Sequence, residues 1–514
     1  MHLGRIAAAA PDRPAVIMEA DGSALSYGEL DRRSSAVARL LASHGIGRGD
    51  HIALLMDNRR EFFEVAWAAQ RSGILYTPVN WHLTDAEAAY VLTDCGARAL
   101  FTCESLAGLA ARTLAASPGV ELAVLARDTA GDTAGDTAGG FRDYEAEIAA
   151  QPAGPPDQEC EGSPFLYSSG TTGRPKGIAR AHEFPEFGTG LGIDQVMGTM
   201  FGFDASAVYL CPAPLYHAAP LGWSMGTIRN GGTVVVMERF DALECLRTIE
   251  RFEVTHVQFV PTHFVRMLKL PPEQRQAADT STLKMVVHAA APCPVEVKQQ
   301  MIDWLGPVLL EYYAGSEGSG MTVITSADWL AHRGSVGRAA VVTVHIVGED
   351  GAELPAGEVG LVYFEGGGQF YYHNDEAKTA SAYNDRGWST LGDLGYLDDE
   401  GYLYLADRRT DLIISGGVNI YPAEIEEALV MHPAVADVAV IGVPDDEMGQ
   451  SVRAVVQPAE GAVPGDDLAA DLLAFARQRL AGFKVPRSVV FAGQLPRLPT
   501  GKLLRRRLRD EYAS

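Results

Sequence analysis

Residues 165–177 read Phe-Leu-Tyr-Ser-Ser-Gly-Thr-Thr-Gly-Arg-Pro-Lys-Gly, in which an apolar pair leads into a loop of glycines and hydroxyls that ends at Lys176. We expect a strand that runs into this loop. Glycines let backbone amides turn toward an anion, hydroxyls add donors, and the lysine adds a positive charge. Because Gly177 follows Lys176, the stretch is not the GxxxxGKS or GxxxxGKT loop of other nucleotide-binding proteins. The loop therefore predicts a nucleotide triphosphate site, with a plain Ser/Thr/Gly loop as the alternative from composition alone.

Outside the loop, apolar runs alternate with stretches of helical periodicity. Residues 234–237 and 285–287 are apolar runs of the kind found in buried strands, whereas residues 241–251 have the periodicity of a helix. Such alternation indicates an α/β fold with largely parallel sheets. A polar run at 407–411 separates this pattern from a second apolar pattern that begins at 412. We therefore place a domain boundary there, with a large domain over 1–407 and a small α+β domain over 408–514.

Charge and cysteine spacing restrict the partners and the compartment. The chain of 514 residues has 42 Lys and Arg against 66 Asp and Glu, and its net charge of −24 repels phosphate backbones and anionic lipid surfaces. Its 6 cysteines show no CxxC spacing, which is typical of thiols in a reducing compartment. The sequence has no run of about 18 apolar residues, so it predicts no membrane span. We expect a cytoplasmic protein that binds no nucleic acid; its oligomeric state stays open, a homodimer included.

Further motifs follow the loop in a fixed order. They are Pro-Leu-Tyr-His at 214–217, Ala-Ala-Ala-Pro at 289–292, Tyr-Ala-Gly-Ser-Glu at 313–317, Gly-Asp at 392–393, Asp-Arg at 407–408, Gly-Gly-Val-Asn-Ile-Tyr-Pro at 416–422 and Pro-Thr-Gly-Lys at 499–502. Together with the loop, this series resembles that of the adenylate-forming superfamily, which includes acyl-CoA synthetases, peptide-synthetase adenylation domains and luciferases. The resemblance covers nearly the whole chain.

The resemblance implies an enzyme of two domains. Its fold would be α/β, with a large N-terminal domain of stacked sheets and helices and a smaller, mobile α+β C-terminal domain that turns about a hinge near 408–411. Such enzymes make an acyl-adenylate from a carboxylic acid and ATP, and then transfer the acyl group to a thiol or another acceptor. The implied cosubstrates are ATP, Mg²⁺ and coenzyme A.

For the phosphates, the resemblance assigns residues of the loop and of the motif at 313–317. Lys176 would hold the β- and γ-phosphates and Glu317 would bind Mg²⁺, so that both stabilise charge that develops during the reaction. Ser316 keeps the hydroxyl that relatives have at its position. The hydroxyls that would add donors to the phosphates are those of Ser168, Ser169, Thr171 and Thr172.

The nucleoside would contact a second group of residues. The small residues that permit close approach of the adenine are Ala289, Ala290, Ala291 and Pro292. The ring of Tyr313 would stack on the base. Asp393 and Arg408 match the positions that hold the ribose hydroxyls, with solvated loop charges as the alternative for both.

The acyl pocket and the small domain supply the remaining residues. His217 matches the position that borders the acyl pocket, the alternative being a hydrogen-bonded core histidine. Lys502 matches the lysine that bridges the substrate carboxylate and the α-phosphate. Gly416 and Gly417 would line the pantetheine tunnel once the small domain has rotated, because a thin thiol arm needs close backbone approach. We interpret the basic run at 505–509 as a solvated helix face, with an anion-binding tail as the alternative.

The substrate and the strength of the first step are the least determined. Residues 288–294, 311–315 and 389–393 most resemble actinobacterial acyl-CoA synthetases for bulky hydrophobic acids, and the small residues at 218–222 leave space for a wide substrate. We therefore expect an acyl-CoA ligase. Leu391 replaces a threonine of relatives, which leaves a member of weak adenylation that mainly converts acyl-adenylate to acyl-CoA as one alternative. A stand-alone enzyme that loads a carrier protein is the other.

Overall fold

The computed structural model describes residues 2–128, 140–168, 175–408, 411–415, 418–445, 448–497 and 503–512. Within these ranges helices and strands alternate along the chain, and the predicted α/β class is confirmed. No helix in the described ranges combines the length and the apolar character that crossing a membrane requires.

The chain up to residue 164 forms a parallel sheet with helices and contributes its first two strands to a second sheet. Its elements are α1 (Leu3–Ala9), β1 (Pro14–Met18), β2 (Ala24–Ser26), α2 (Tyr27–Ser43), β3 (His51–Leu55), α3 (Arg60–Arg71), β4 (Leu75–Pro78), α4 (Asp85–Asp94), β5 (Ala97–Cys103), α5 (Ala107–Ala115), β6 (Leu122–Ala126), β7 (Arg142–Asp143), α6 (Tyr144–Ala149) and β8 (Ser163–Pro164). Among the described residues, six strands pair in the order β7-β6-β5-β3-β4-β8, all of them parallel.

Residues 166–339 supply most of a second large sheet. Their elements are β9 (Leu166–Ser168), β10 (Lys176–Ala179), α7 (Gly192–Met200), β11 (Val208–Cys211), α8 (Ala218–Arg229), β12 (Thr233–Val236), α9 (Ala242–Arg251), β13 (His256–Phe259), α10 (Pro261–Leu268), α11 (Pro272–Ala277), β14 (Met285–His288), α12 (Val295–Leu305), β15 (Leu309–Ala314), β16 (Met321–Thr325), α13 (Ser326–Ala331) and β17 (Arg338–Ala339). The sheet has the order β17-β16-β15-β14-β13-β11-β12-β1-β2 in the described chain. Its central strands are parallel, and β2, β16 and β17 are antiparallel.

Both large sheets are apolar on both faces. Tyr209 and Cys211 of β11 belong to the same buried cluster as Ile52 of β3 and as residues of α2, α3 and α8, so this cluster joins the two sheets. Leu210, between them in the chain, belongs to a second cluster with α9, α10 and α12. Ala53 likewise belongs to a third cluster with α4 and α5. Because strand side chains alternate between faces, this burial gives stacked layers of sheet and helix, as predicted.

The three segments singled out in the sequence form the expected elements. The apolar runs at 234–237 and 285–287 lie in β12 and β14, and the periodic stretch at 241–251 forms α9. Asp241 caps this helix, since its carboxylate accepts the backbone N–H groups of Leu243 at 3.0 Å and Glu244 at 2.9 Å. The pattern thus predicts both the element and its start.

A four-stranded antiparallel sheet lies before the predicted boundary. Residues 343–408 contain β18 (Thr343–Val347), β19 (Gly360–Glu365), β20 (Tyr371–Tyr372), α14 (Glu376–Ser381), β21 (Asp393–Leu397) and β22 (Leu403–Arg408). In the described chain β18-β19-β21-β22 form one sheet, and β20 pairs with β10. Because 409–410 lie outside the described residues, the boundary at 407 and the hinge near 408–411 stay predictions.

The remaining elements form a small α+β unit. They are β23 (Ile413–Ser415), β24 (Val418–Ile420), α15 (Pro422–Val430), β25 (Val435–Asp445), β26 (Gly449–Pro458), α16 (Asp466–Arg477), β27 (Ser488–Phe491) and α17 (Arg505–Tyr512). Side chains such as Ile425, Val440, Val456 and Leu472 make a core of their own. The predicted smaller C-terminal α+β domain is therefore present.

The basic run in α17 differs from the sequence interpretation. Arg505 is bound to the carboxylates of Glu426 and Asp411, and Arg509 also binds Asp411. Arg507 is exposed. The interpretation of 505–509 as a solvated face is therefore wrong for Arg505 and Arg509, because α15 and the turn before β23 present carboxylates that the periodicity of α17 does not reveal.

A buried ion network fixes one wall of the large domain. Glu161 is fully buried, and the guanidinium of Arg229 binds both of its carboxylate oxygens, at 2.9 and 3.2 Å. The same carboxylate accepts the backbone N–H groups of Gly188 at 2.7 Å and Gly190 at 3.1 Å. Arg229 also lies 3.0 Å from Asp194 of α7. The network thus ties α7, α8 and the connection at 186–191 together.

We predict that Glu161→Ala lowers the free energy of unfolding by about 3–5 kcal/mol, because it leaves Arg229 buried beside a single carboxylate and two amides without an acceptor. The measurement is urea unfolding of the purified chain. Glu121→Ala is the matched control, since Glu121 pairs with Arg98 at the surface and screened surface pairs contribute little. Equal unfolding midpoints for the two variants would contradict the assigned role of the network.

Candidate active site

The candidate site lies at the carboxyl edge of the nine-stranded sheet. The strands β11, β13, β14 and β15 are parallel, so their carboxyl ends meet at one edge. The motif that ends at His217 follows β11, residues 289–292 follow β14, and residues 315–317 follow β15. Backbone pairing alone therefore brings three distant motifs together, at the edge where open α/β sheets bind ligands.

A continuous cleft of about 4260 Å³ runs along this edge. It is lined by all the predicted site residues whose side chains are described: Ser168, Lys176, His217, Ala289, Ala290, Ala291, Pro292, Tyr313, Ser316, Glu317 and Asp393. The predicted residues that lie outside the described ranges are Ser169, Thr171, Thr172, Gly416, Gly417 and Lys502. Of Arg408 the backbone is described and the side chain is not.

The two ends of the phosphate loop are held side by side. β9 and β10 pair antiparallel, with Ser168 opposite Lys176, so the described chain on either side of 169–174 forms a hairpin stem. Gly177 is required for this stem by lack of space. A Cβ at this position would lie 2.9 Å from the ring of Phe165, closer than side-chain packing allows.

Lys176 has an anionic partner, Asp375. Its ammonium nitrogen lies 3.3 Å from Oδ2 of Asp375 and 5.8 Å from the ring centroid of Tyr372. The backbone N–H of Lys378 and the ammonium of Lys176 lower the pKa of the Asp375 carboxyl, so Asp375 is ionised at neutral pH. A triphosphate that enters the loop would compete with Asp375 for this ammonium group.

Glu317 is fixed through both its backbone and its side chain. The Tyr372 hydroxyl donates to Oε1 of Glu317 at 2.9 Å. The guanidinium of Arg180 donates to the carbonyl oxygens of Ser316 at 2.5 Å and of Glu317 at 3.1 Å. A Cβ at Gly315 would lie 2.7 Å from Oε2 of Glu317, so the glycine lets this carboxylate turn along the chain. The carboxylate is therefore held in one orientation at the cleft.

A single fixed carboxylate, that of Glu317, fits a magnesium ion whose other ligands are nucleotide phosphates and water. No group of three or more His, Cys, Asp or Glu that could hold a metal occurs in the described part of the chain. Mg²⁺ in nucleotide sites is commonly bound by one or two carboxylates, with phosphate oxygens and water completing the octahedron. Glu317 alone satisfies the protein share of such a set.

The segment at 289–292 forms a strained turn beside the cleft. Ala290 has a φ of 76°, in the left-handed region that residues other than glycine rarely adopt. Placing a Cβ in that region costs about 1 kcal/mol. Ala289 is buried at 5% exposure, whereas Ala290 is exposed, so the turn presents its small side chains and backbone to the cleft.

Tyr313 and Asp393 are linked directly. The Tyr313 hydroxyl donates to Oδ2 of Asp393 at 2.6 Å, although the two residues come from different sheets. Asp393 is 7% exposed, so the alternative of a solvated loop charge is wrong for this residue. The register of β21 and β22 places Arg408 opposite Asp393. The two predicted ribose-binding positions are thus neighbours in one sheet.

Aromatic side chains line the cleft around His217, the residue predicted to border the acyl pocket. His217 precedes α8, and its ring centroid lies 4.3 Å from that of Tyr216. Trp81 packs edge-on against Tyr216 at 4.5 Å. Farther along α8, the Trp223 ring lies 6.1 Å from that of Tyr312. These tilted and edge-on ring contacts give the cleft an aromatic wall beside α8.

Three residues that contact Lys176 or Glu317 lie outside the motifs found in the sequence. They are Arg180, Tyr372 and Asp375. Their partners are far along the chain, so local spacing carries no trace of the contact. The one available signal is the charge of Arg180 at the end of the apolar run 177–179.

Comparison with known families settles the class of the protein. Residues 3–371 match the family described as AMP-binding enzyme, and residues 424–502 match the AMP-binding enzyme C-terminal domain. The chain belongs to the AMP-binding enzymes. It is an ATP-dependent, AMP-forming acid–thiol ligase, and the predicted membership of the adenylate-forming superfamily is confirmed.

Curated relatives of this ligase match over almost their whole length. The feruloyl-CoA synthase of an Amycolatopsis species is 35% identical over 501 residues, covering 96% of this chain and 94% of the relative. The fatty acid–[acyl-carrier-protein] ligase ScoC of Streptomyces coeruleorubidus is 32% identical, covering 98% and 94%. A Rhodococcus jostii enzyme named 3-[(3aS,4S,7aS)-7a-methyl-1,5-dioxo-octahydro-1H-inden-4-yl]propanoyl:CoA ligase is also 32% identical, covering 96% and 95%.

A solved structure shares the fold of this ligase over the full chain. The o-succinylbenzoate CoA synthetase MenE of Bacillus subtilis, in complex with its acyl-adenylate intermediate, is 26% identical with a TM-score of 0.80. The match covers 99% of this chain and 97% of that one. The large domain and the smaller C-terminal domain are therefore those of adenylate-forming enzymes.

We predict that Tyr313→Phe raises the KM for ATP about tenfold with little change in kcat, because a hydrogen bond to a carboxylate is lost beside the nucleoside position. Tyr312→Phe is the matched control. Its hydroxyl lies 3.5 Å from the Trp223 indole nitrogen on the acyl side, so this change should leave the KM for ATP unaltered. Steady-state kinetics with varied ATP tests both, and equal KM values for parent and Tyr313→Phe would refute the nucleoside assignment.

Proposed function

We propose that this ligase activates a hydrophobic, bulky carboxylic acid as its acyl-adenylate and transfers the acyl group to coenzyme A. The observation that carries the proposal is the convergence of Lys176, Glu317, Asp393 and His217 on one cleft with an aromatic acyl side. The relatives named for feruloyl-CoA and for an indenyl propanoyl-CoA support a bulky acid.

The space for such an acid lies beside α8. Gly222 stands in the interior of this helix and lines the cleft, and a Cβ at this position would meet nothing within 4 Å. Glycine in a helix interior costs about 1 kcal/mol relative to alanine. Gly222 is unfavourable for the helix and has open space beside it, which supports a role for this glycine in leaving room for the substrate.

In the first half-reaction, opposite charges would offset the repulsion between two anions. Lys176 would hold the β- and γ-phosphates with the loop hydroxyls, and Glu317 would hold the Mg²⁺ that neutralises them. Lys502 would lie between the carboxylate of the acid and the α-phosphate, where charge develops in the transition state. Asp393 and Arg408 would fix the ribose, so that the α-phosphorus faces the attacking carboxylate oxygen.

In the second half-reaction, the small domain would turn about the hinge at 408–411. This rotation would withdraw Lys502 and present the segment with Gly416 and Gly417 to the thiol of coenzyme A. Attack of the sulfur on the acyl carbon forms the thioester and releases AMP.

Two alternatives rest on specific observations. Leu391 packs against Gly315, because a Cβ added at Gly315 would lie 2.5 Å from Cδ2 of Leu391. Leu391 thus lies beside the segment of Glu317 and lacks the hydroxyl that a threonine would have. This favours weak adenylation with efficient thioester formation. The similarity to a ligase named for an acyl-carrier protein supports the second alternative, a carrier protein as acceptor.

The deciding experiment is a panel of carboxylic acids, from short aliphatic to polycyclic, incubated with ATP and coenzyme A. AMP, pyrophosphate, acyl-adenylate and acyl-CoA are followed together, and a carrier protein replaces coenzyme A in a parallel series. We expect AMP and pyrophosphate in equal amounts with thioester formed on coenzyme A. Formation of ADP, or transfer to the carrier alone, would contradict the proposal.

We predict that Lys502→Ala slows acyl-adenylate formation about a hundredfold or more, the size expected when one preorganised charge is removed from a transition state. Thioester formation from supplied acyl-adenylate should continue near the parental rate, because Lys502 takes no part in that step. Single-turnover assays of each half-reaction test this. Equal loss in both would contradict the rotation of the small domain.

We predict that Gly222→Leu raises the KM for polycyclic acids about tenfold or more, since the added side chain occupies the acyl pocket, while short aliphatic acids stay substrates. Gly108→Leu, at an exposed position of α5, is the matched control for the change in helix propensity. Kinetics over the acid panel test this. An unchanged KM for the largest acids would show that the pocket does not extend past α8.

A further inference from the structure

Two arginines stand on either side of the segment 498–502, which carries Lys502. The described chain at its two ends is paired: Arg497 and Leu503 form an antiparallel bridge, and the backbone N–H of Leu504 donates to the carbonyl of Pro496 at 2.8 Å. The described residues on its two sides therefore form one narrow stem, and the contacts of this stem fix the chain that flanks Lys502.

On the incoming side, Arg497 is anchored to β25. Its guanidinium binds both carboxylate oxygens of Asp437, at 2.5 and 2.9 Å, and donates to the carbonyl of Val438 at 3.2 Å. Such a bidentate pair fixes orientation as well as position, because the planar guanidinium matches the carboxylate. The incoming strand of the stem is thus fastened to β25, which lies next to β26 in the small-domain sheet.

On the outgoing side, Arg505 is anchored to the same strand and to α15. It binds both oxygens of Glu426, at 2.5 and 2.9 Å, and donates to the carbonyl of Val440 at 2.7 Å. Glu426 in turn accepts the backbone N–H of Val440 at 2.7 Å. Side chains of Arg505 and Glu426 are only 14% and 17% exposed, so solvent weakens these contacts little.

Arg505 also contacts a third group, the carboxylate of Asp411 at the end of the predicted hinge. Its Nε atom lies 3.4 Å from Oδ2 of Asp411, and Nη2 of Arg509 lies 3.0 Å from Oδ1 of the same carboxylate. The Asp411 side chain is 14% exposed. The last residue of the predicted hinge is therefore held by α17, the helix that follows the segment of Lys502.

We propose that Asp411 and Arg505 couple the hinge to the segment of Lys502, so that the two move as one body when the small domain turns. Arg505 is then a positioning residue for the first half-reaction, acting through Lys502. This inference rests on the proposed role of Lys502 in acyl-adenylate formation. Without the link, rotation of the hinge would bring the small domain to the cleft with Lys502 displaced from the reacting atoms.

The chemistry of the contact requires arginine. One guanidinium satisfies Glu426 through a fork, the Val440 carbonyl and Asp411 together, whereas an ammonium group is a point charge on a flexible stem. Displacement of a catalytic group by about 1 Å can cost a hundredfold in rate. Arg505→Lys therefore keeps the charge and loses the geometry, which separates positioning from general electrostatics.

The test measures the two half-reactions separately for Arg505→Gln, Arg505→Lys and Asp411→Asn. We expect acyl-adenylate formation to slow about ten- to a hundredfold for Arg505→Gln and less for Arg505→Lys, with the KM for ATP near that of the parent. Thioester formation from supplied acyl-adenylate should fall much less. The double variant Asp411→Asn with Arg505→Gln should be little slower than the worse of the two single variants, since both break one link.

Arg507→Gln is the matched control, because Arg507 lies on the same helix and is exposed; it should leave both rates within about twofold of the parent. The inference is overturned if Arg505→Gln behaves like Arg507→Gln, if both half-reactions fall equally, or if the two single effects multiply. Should Arg505→Gln fail to fold, Arg505→Lys decides on the same criteria. If Lys502→Ala loses adenylation and the Arg505 variants adenylate at the parental rate, this inference alone is refuted. If Lys502→Ala itself adenylates at the parental rate, the proposed role of Lys502 is refuted.

Discussion

Parallel pairing of β11, β13, β14 and β15 is the constraint on which the rest of the site depends. Parallel strands place all their carboxyl ends at one edge and need helical crossovers to return the chain to the other. The crossovers bury both faces of the sheet, and the edge is left for side chains with chemical roles. His217, the turn at 289–292 and Glu317 therefore lie along the same edge although a hundred residues of sequence separate the first from the last.

Much of this arrangement can be predicted from sequence, for a physical reason. Apolar runs such as 234–237 and 285–287 are buried on both faces, so their pattern alone identifies them as strands of a covered sheet. Asp241 marks a helix start because capping is a contact between residues three apart. The motif residues also stand out locally, since glycines, hydroxyls and a lysine within one short loop have few uses other than anion binding.

What the sequence does not predict are the contacts that fix those motif residues. Tyr372 holds the Glu317 carboxylate and Arg180 holds the backbone of the same residue, and neither partner is near in the chain. Distant partners are missed in the small domain as well. Helical periodicity predicts which face of α17 is polar, but it does not predict which carboxylates of other elements lie against that face. Arg505 therefore has the appearance of a solvent-facing residue in sequence and is a multiply bonded one in the structure.

The network around Glu161 has a consequence for ligand recognition. Its carboxylate holds the amides of Gly188 and Gly190, and Leu191, which follows them, lines the cleft. The segment 188–191 therefore loses its conformational freedom when the protein folds and not when a ligand binds. If the acid binds as proposed, this segment loses little conformational entropy on binding, so differences in affinity among acids should reflect their own shape and rigidity.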